Sequence, residues 1–379
     1  MVSFDCQPRT RVVFGEGTVR RLGELGRDLG LRRALLVADT GIRDAGYVDE
    51  AIGQLRTASI DTMVFDAFGQ NPDSVMVEAG RAFAAPLRVD SIIGVGGGSS
   101  LDCAKAINFL LTNGGVISDY RGYGKASRPL LPMIAVPTTA GTGSEAQSYA
   151  VISDAATHMK MACGDPSAAV RIAILDPELT RTAPARVTAA AGFDAIAHAV
   201  ETAVTTRRTS LSQMYSHHAW RLLAPAFKRV LEAPADVETR SAMQLGAYFA
   251  GAAIEQSMLG AAHACANPLT ARYDITHGLA LAMILPHVVR WNAVVAMDQY
   301  AALLRSAGRA ANGNAAQDLA LELEALAATA GIGKRLRDGG VQEEALPELA
   351  AQAAQQWTGT FNPRPLDAAG ALEIYRAAF

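Results

Sequence analysis

The chain has 379 residues, half of them apolar, with 34 basic and 37 acidic side chains and a formal charge of -3. At roughly 150 residues per domain this predicts two or three domains, each able to bury a core without disulfide or metal staples. Near-neutral charge and 6% aromatic content argue against nucleic-acid or anionic-membrane binding, which favour basic excess and stacking rings. The four cysteines, Cys6, Cys103, Cys163 and Cys265, show no CxxC spacing and read as ordinary thiols of a reducing compartment. The N-terminus shows no charged segment followed by an apolar run, and no stretch approaches the ~20 apolar residues of a membrane span. A soluble, cytoplasmic globular protein is the expectation.

The first half alternates. Short β-branched runs predict strands at Arg33–Asp39, Asp61–Phe65, Asp90–Gly96, Pro132–Val136 and Arg171–Asp176, and helical spacing predicts helices at Thr18–Leu29, Tyr47–Ala58, Ser74–Phe83 and Leu101–Leu111. Continuous apolar strands alternating with helices are the pattern of a parallel sheet covered on both faces. Two runs near Ser148–Ile152 and Thr157–Cys163 read as a β-hairpin beside that sheet. After Pro184 the chain turns Ala- and Leu-rich and helical to Phe379, punctuated by Pro225, Pro234, Pro268, Pro286 and Pro347, with helices of about 10–20 residues fitted between them. The expected architecture is an α/β domain over residues 1–182 and an all-helical domain over 183–379. A cleft between two such domains is a common place for a small-molecule site.

The run from Ile92 to Lys105 passes from a buried strand through Gly94, Gly96, Gly97 and Gly98 straight into a helix. Glycines allow close backbone approach, and the N–H groups opening a helix favour an anion such as a pyrophosphate. The run does not match GxGxxG and follows a later strand than the first, so a tight structural turn is the competing reading. Asp39 ends a strand where a carboxylate can accept both hydroxyls of an adenosine ribose and repel a 2′-phosphate, favouring NAD over NADP; it can equally cap a helix. The loop Pro137 to Glu145, rich in Thr and Gly, follows the next strand at the edge where open α/β sheets bind ligands.

Of seven histidines, His198 lies four residues after Asp194, on one helix face. His263 and His277 follow in later helical segments among small residues. One carboxylate and three imidazoles would make a first shell for Fe²⁺ or Zn²⁺ with positions left open for substrate. Against this stands the bland reading of core histidines and an Asp paired within its own helix. His217 and His218 read as a surface or packing pair, and spacing assigns no role to His158 or His287.

Together these pieces resemble the iron-containing (group III) alcohol dehydrogenase family. The resemblance covers essentially the whole chain and rests on separated motifs in the family's order. They are Gln70 to Asp73, Gly96 to Ser99 with Asp102 and Lys105, Pro137 to Glu145, Leu175 to Pro177, Gly192 to Ala195 with His198 and Glu201, Gly260 to Pro268 with His263, and His277 to His287. The resemblance implies a dehydroquinate synthase-like fold with a dinucleotide-binding domain before a helical catalytic domain. It places the metal, Fe²⁺ or Zn²⁺, on Asp194, His198, His263 and His277. Cofactor contacts carry over to Asp39, Asn71, Gly97, Gly98, Ser99, Asp102, Thr138, Thr139, Thr142, Val151 and Lys160. The implied activity is metal-dependent hydride transfer between NAD(H) and a small alcohol or aldehyde, by a homodimer with no nucleic-acid or membrane partner. The alternative is a glycerol dehydrogenase-like or dehydroquinate synthase-like enzyme acting on a polyol or a polyanion, for which Arg121, Lys125, Arg128 and Arg272 are the candidate anion contacts.

Two positions depart from the family pattern. Asn267 stands where many members carry a histidine thought to assist proton movement, and an amide cannot titrate there. Gln147 stands where a threonine is common beside the nicotinamide. Both are substrate-pocket candidates.

Overall fold

Strands that are apolar on both faces are stable only when both faces are covered, and the first 183 residues are built that way. The computed structural model describes residues 3–157, 159–311, 313–333 and 335–379. Among them the strands are β1 (Arg11–Phe14), β2 (Arg33–Val37), β3 (Asp61–Phe65), β4 (Ser91–Gly96), β5 (Gly122–Tyr123), β6 (Met133–Pro137), β7 (Tyr149–Ser153), β8 (Lys160–Gly164) and β9 (Ile172–Leu175). Six form one parallel sheet in the order β1-β9-β6-β4-β2-β3. The central strands β4 and β6 are buried at every position, as sequences without a charged residue allow.

Helices α1 (Leu22–Asp28), α2 (Thr40–Asp44), α3 (Tyr47–Thr57), α4 (Ser74–Ala84) and α5 (Gly98–Asn113) lie between these strands in sequence. The expected strand and helix centres hold, but the short elements α2 and β5 have no expected counterpart, and further features differ. Strand β1 has no counterpart among the expected elements: it is an edge strand with one buried residue, Val13, so its sequence carries little apolar signal. The segment from Thr18 opens as a 3-10 turn (Thr18–Arg21) before α1, and α5 begins at Gly98, ahead of the first apolar residue, Leu101. The hairpin forms as β7 and β8, antiparallel, but joins β5 in a separate three-stranded sheet. His158, in the connection, lies outside the described residues.

The second half is helical: α6 (Ala185–Val204), α7 (Ser210–Glu232), α8 (Val237–Glu255), α9 (Ala261–Tyr273), α10 (His277–Trp291), α11 (Ala293–Ser306), α12 (Ala315–Thr329), α13 (Leu346–Ala354) and α14 (Ala368–Ala378). Three of the prolines expected to separate helices lie inside them: Pro225 in α7, Pro268 in α9 and Pro286 in α10. Each costs a backbone hydrogen bond, yet continuous packing of the apolar face outweighs that loss. Pro225 is exposed, so in α7 the disruption falls on the solvent side. By contacts the chain divides into two units, one of residues 7–139 and 143–183, the other of 184–379 with 140–142 and 3–6. The core of the helical unit gathers Phe193, Trp220, Phe227, Tyr300 and Tyr375 with many alanines, whose small side chains let helices approach closely. No single helix among the described residues is long and apolar enough to cross a membrane.

Candidate metal centre and nucleotide-binding loops

Helix period alone puts Asp194 and His198 on one face of α6, and the structure adds two more imidazoles to that face. His263 sits in the first turn of α9 and His277 is the first residue of α10. The crossing of α10 over α6 is tight at Gly278, where a Cβ would lie 1.9 Å from the Ala190 carbonyl oxygen. No other residue fits there, and this close approach brings His277 to Asp194. The three imidazole Nε2 atoms converge on Asp194 Oδ1, at 3.2 Å from His198, 3.5 Å from His263 and 3.9 Å from His277. Asp194, His263 and His277 each offer a ligating atom within 4.8 Å of the other two. His198 is outside that triad; it stacks on His263 with ring centroids 4.9 Å apart.

These approaches lack hydrogen-bond geometry. Asp194 Oδ1 and His263 Nε2 are buried without a hydrogen-bond partner, as is His198 Nδ1. A buried carboxylate oxygen facing three ring nitrogens, with its hydrogen-bonding capacity unused, is costly unless a further group satisfies it. One carboxylate and three imidazoles are a donor set for a divalent transition metal, so the residues fit the iron or zinc that the sequence motifs imply. The electrostatics agree. Burial would raise the Asp194 carboxyl, but His198, with further help from His263 and His277, holds it well below the usual range. Burial would likewise lower His263, but Glu201 and Asp194 outweigh it and raise its imidazole to about 9. The side chain of Asp194 is 9% exposed and that of His277 22%, so the cluster is most open at His277.

Glu201 is the residue whose part spacing did not reveal. It lies seven residues after Asp194 on the same face of α6, a signal visible in hindsight. Its buried carboxylate pairs with His263 Nδ1 and accepts the Ala262 N–H at 2.6 Å.

In the α/β unit the glycine-rich turn is built as expected. Gly96, at φ 144°, leaves no space for a Cβ, which would meet Ser100 Oγ at 2.4 Å. Gly97 is the N-cap of α5 and, being glycine, supplies no side-chain cap to its first turn. Asn71 adopts left-handed backbone (φ 52°) and its N–H donates to Ser99 Oγ at 3.3 Å. Thr138 and Thr139 follow β6, which pairs with β4 through Gly96 and Pro137. Asn71, Gly97, Gly98, Ser99, Thr138 and Thr139 therefore gather at one edge of the parallel sheet. Thr142 belongs by contacts to the helical unit.

Asp39 does cap α2: Oδ1 accepts the Ile42 N–H and Oδ2 the Ser100 hydroxyl, each at 3.1 Å. Two other family motifs prove to be caps. Asp73 accepts the Val75 and Met76 N–H groups at 2.9 Å, and Asp176 accepts from Glu178 at 3.1 Å and Val19 at 3.0 Å.

Asp102 and Lys105, one turn apart on α5, hold the loop that follows β6. Asp102 accepts the Ser144 hydroxyl at 2.6 Å and the N–H of Val151 at 3.1 Å. Lys105, fully buried, donates to Ser144 O (2.6 Å), Ser144 Oγ (3.0 Å), Gln147 O (2.8 Å) and Tyr149 O (2.8 Å). Glu145 is buried beside them, and that burial pushes its carboxyl up to about 7. The two departures also have partners: Gln147 Nε2 donates to Gly143 O and Asn267 Nδ2 to Gln356 Oε1, each at 3.1 Å.

A glycine turn opening a helix at the end of a parallel sheet and a buried aspartate–histidine cluster occur together in this chain. Two family models cover nearly all of it: iron-containing alcohol dehydrogenase over residues 8–177, and the Fe-containing alcohol dehydrogenase C-terminal region over 188–379. The NAD-dependent methanol dehydrogenase of Bacillus methanolicus is 32% identical, over 96% of both chains. The 1,3-propanediol dehydrogenase of Citrobacter freundii is 35% identical, over 97% of this chain and 96% of the relative. A crystal structure of 1,3-propanediol oxidoreductase superposes over 100% of both chains, with TM-score 0.95 and 33% identity. The chain belongs to the iron-containing alcohol dehydrogenase family and is an alcohol/aldehyde oxidoreductase.

Proposed function

We propose that this chain is an NAD-preferring dehydrogenase of small alcohols, or equally a reductase of the matching aldehydes, whose metal is Fe²⁺ or Zn²⁺. The observation that carries the reading is the convergence of three imidazoles on the unsatisfied Asp194 carboxylate. Asp194, His198, His263 and His277 would hold the ion. When bound, it supplies Lewis acidity toward the substrate oxygen, and the nicotinamide supplies the hydride acceptor or donor. The N-terminus of α5 at Gly98 and Ser99 suits the pyrophosphate, with Asn71, Thr138 and Thr139 around it. Val151, Lys160, Asp102 and Thr142 complete the proposed cofactor contacts. Gln147 shapes the pocket, and Asn267, an amide already donating to Gln356, relays no proton. The reading includes a homodimer, carried over from the family, in the cytoplasm, as the sequence composition suggests.

The polyanion alternative draws no support from Arg272, which is paired with Glu348. The direct test is NADH consumption by anaerobically purified, metal-loaded protein against a panel of short-chain aldehydes, with metal content measured in parallel. Metal-dependent turnover of at least one aldehyde is expected, and a metal-replete protein inert toward the whole panel would refute the reading.

Cofactor choice has its own test. A carboxylate has about four acceptor sites, so Asp39 can cap α2 and still accept ribose hydroxyls. Glycine is a good N-cap, but Asp39→Gly also takes the acceptor from the buried Ser100 hydroxyl, so its cost in stability is about 1–3 kcal/mol. Its expected effect is a shift of the kcat/KM ratio toward NADP by about tenfold, equivalent to about 1.4 kcal/mol. An unchanged ratio would restrict Asp39 to capping.

A further inference from the structure

Resting on the metal-centre reading above, we propose that Glu201 is a positioning residue that orients His263 for metal binding. Its carboxylate faces two donors at once: Oε2 meets His263 Nδ1 and Oε1 accepts the N–H of Ala262 at 2.6 Å. All three groups are buried. A carboxylate oxygen that accepts the Nδ1–H fixes the ring so that, with a metal bound, the Nε2 lone pair is the one presented, on the nitrogen that faces Asp194 Oδ1 at 3.5 Å. The second oxygen ties the same carboxylate to the backbone one residue before His263, so ring and main chain are located by one group. The N-terminus of α9 favours a negative charge at that point. A neutral amide of the same shape cannot do both jobs. If its oxygen accepts from Ala262, its NH₂ points at His263 Nδ1 and drives the ring proton onto Nε2. If it is turned over, the NH₂ opposes the Ala262 N–H.

Glu201 is not the sole cap of this helix. Asn362 Oδ1 accepts the N–H of Ala261 at 3.1 Å and does so without touching His263. Asn362 is itself held by reciprocal amide bonds with Asn292, at 3.1 and 2.8 Å. Helix capping and ring orientation are therefore separable by mutation.

The test measures Zn²⁺ affinity of the full-length apoprotein by chelator competition, alongside its melting temperature without metal. Glu201→Gln is expected to bind Zn²⁺ about 10–100-fold more weakly than wild type, the range typical of a lost outer partner to a ligating histidine. Asn362→Ala is expected to melt lower while keeping wild-type affinity, and His263→Ala to lose tight binding. Should Glu201→Gln fail to fold, Glu201→Asp, one methylene too short to reach both donors, is read by the same criterion. Wild-type affinity in the Glu201 variant, or an equal loss in Asn362→Ala, would overturn the proposal. Equal affinity in wild type and His263→Ala would instead refute the metal-centre reading on which it rests.

Discussion

Replacing His263 with alanine is expected to give a folded protein that no longer retains iron or zinc and no longer turns over substrate. The variant removes one of four converging donors, and the loss of affinity should exceed the roughly 10–100-fold that an outer partner is worth. It also leaves the buried Glu201 carboxylate with the Ala262 N–H but without its imidazole partner. Losing one charge-assisted hydrogen bond in a buried site costs about 1–3 kcal/mol, so the apoprotein should melt a few degrees lower yet remain helical. Elemental analysis after anaerobic purification, circular dichroism and NADH turnover check the three parts separately. Full activity in a metal-free His263→Ala protein would remove the metal from the mechanism.

The second large effect is expected in the α/β unit, at Lys105. Its ammonium carries three protons and meets four oxygens, all from the loop between Ser144 and Tyr149. Asp102 binds the same Ser144 hydroxyl from the other side, so the two charges clamp the loop through a shared hydroxyl. Lys105→Met keeps the length of the stem but takes a charged donor from three carbonyl oxygens and from Ser144 Oγ, and removes one of the two lysine charges that act on Asp102. Removing one member of such a buried charged arrangement costs about 3–5 kcal/mol. For a unit of this size that corresponds to a fall in melting temperature of about 10 °C. Lys105→Arg should not rescue, because a planar guanidinium does not fit a site closed around a compact ammonium. The loop carries Gln147, so the surviving fraction should also show a raised KM for NADH. A Lys105→Met protein that melts like wild type would show that the loop holds without the clamp.

Much of the α/β unit is legible locally. The runs RALLV, DTMVF and SIIGVG announce strands because they are short, largely apolar and bounded by turn residues. β1 escapes because RVVF is four residues long and buries only Val13, too little to distinguish a sheet edge from a loop. The prolines mislead for the complementary reason. Their local penalty is real, but α7, α9 and α10 recover it in packing that a linear reading cannot see.

The candidate metal centre divides in the same way. Asp194 and His198 are legible as a pair because a helix repeats every 3.6 residues, and that period needs no tertiary information. His263 and His277 could be attached to them through family resemblance but not through spacing, since ordinary core histidines would read alike. Glu201 was visible in a motif without a role.

By itself the sequence determined the alternation of strands and helices, the glycine turn at the start of α5 and the Asp194–His198 face of α6. Each depends on backbone periodicity or on the conformational range of a few neighbouring residues. Only the tertiary structure decided that α6, α9 and α10 bring their polar residues to one point, that Glu201 reaches His263, and that Lys105 and Asp102 hold one loop between them. Those outcomes depend on how closely helices and loops can approach, which residues such as Gly278 permit and which no local pattern records.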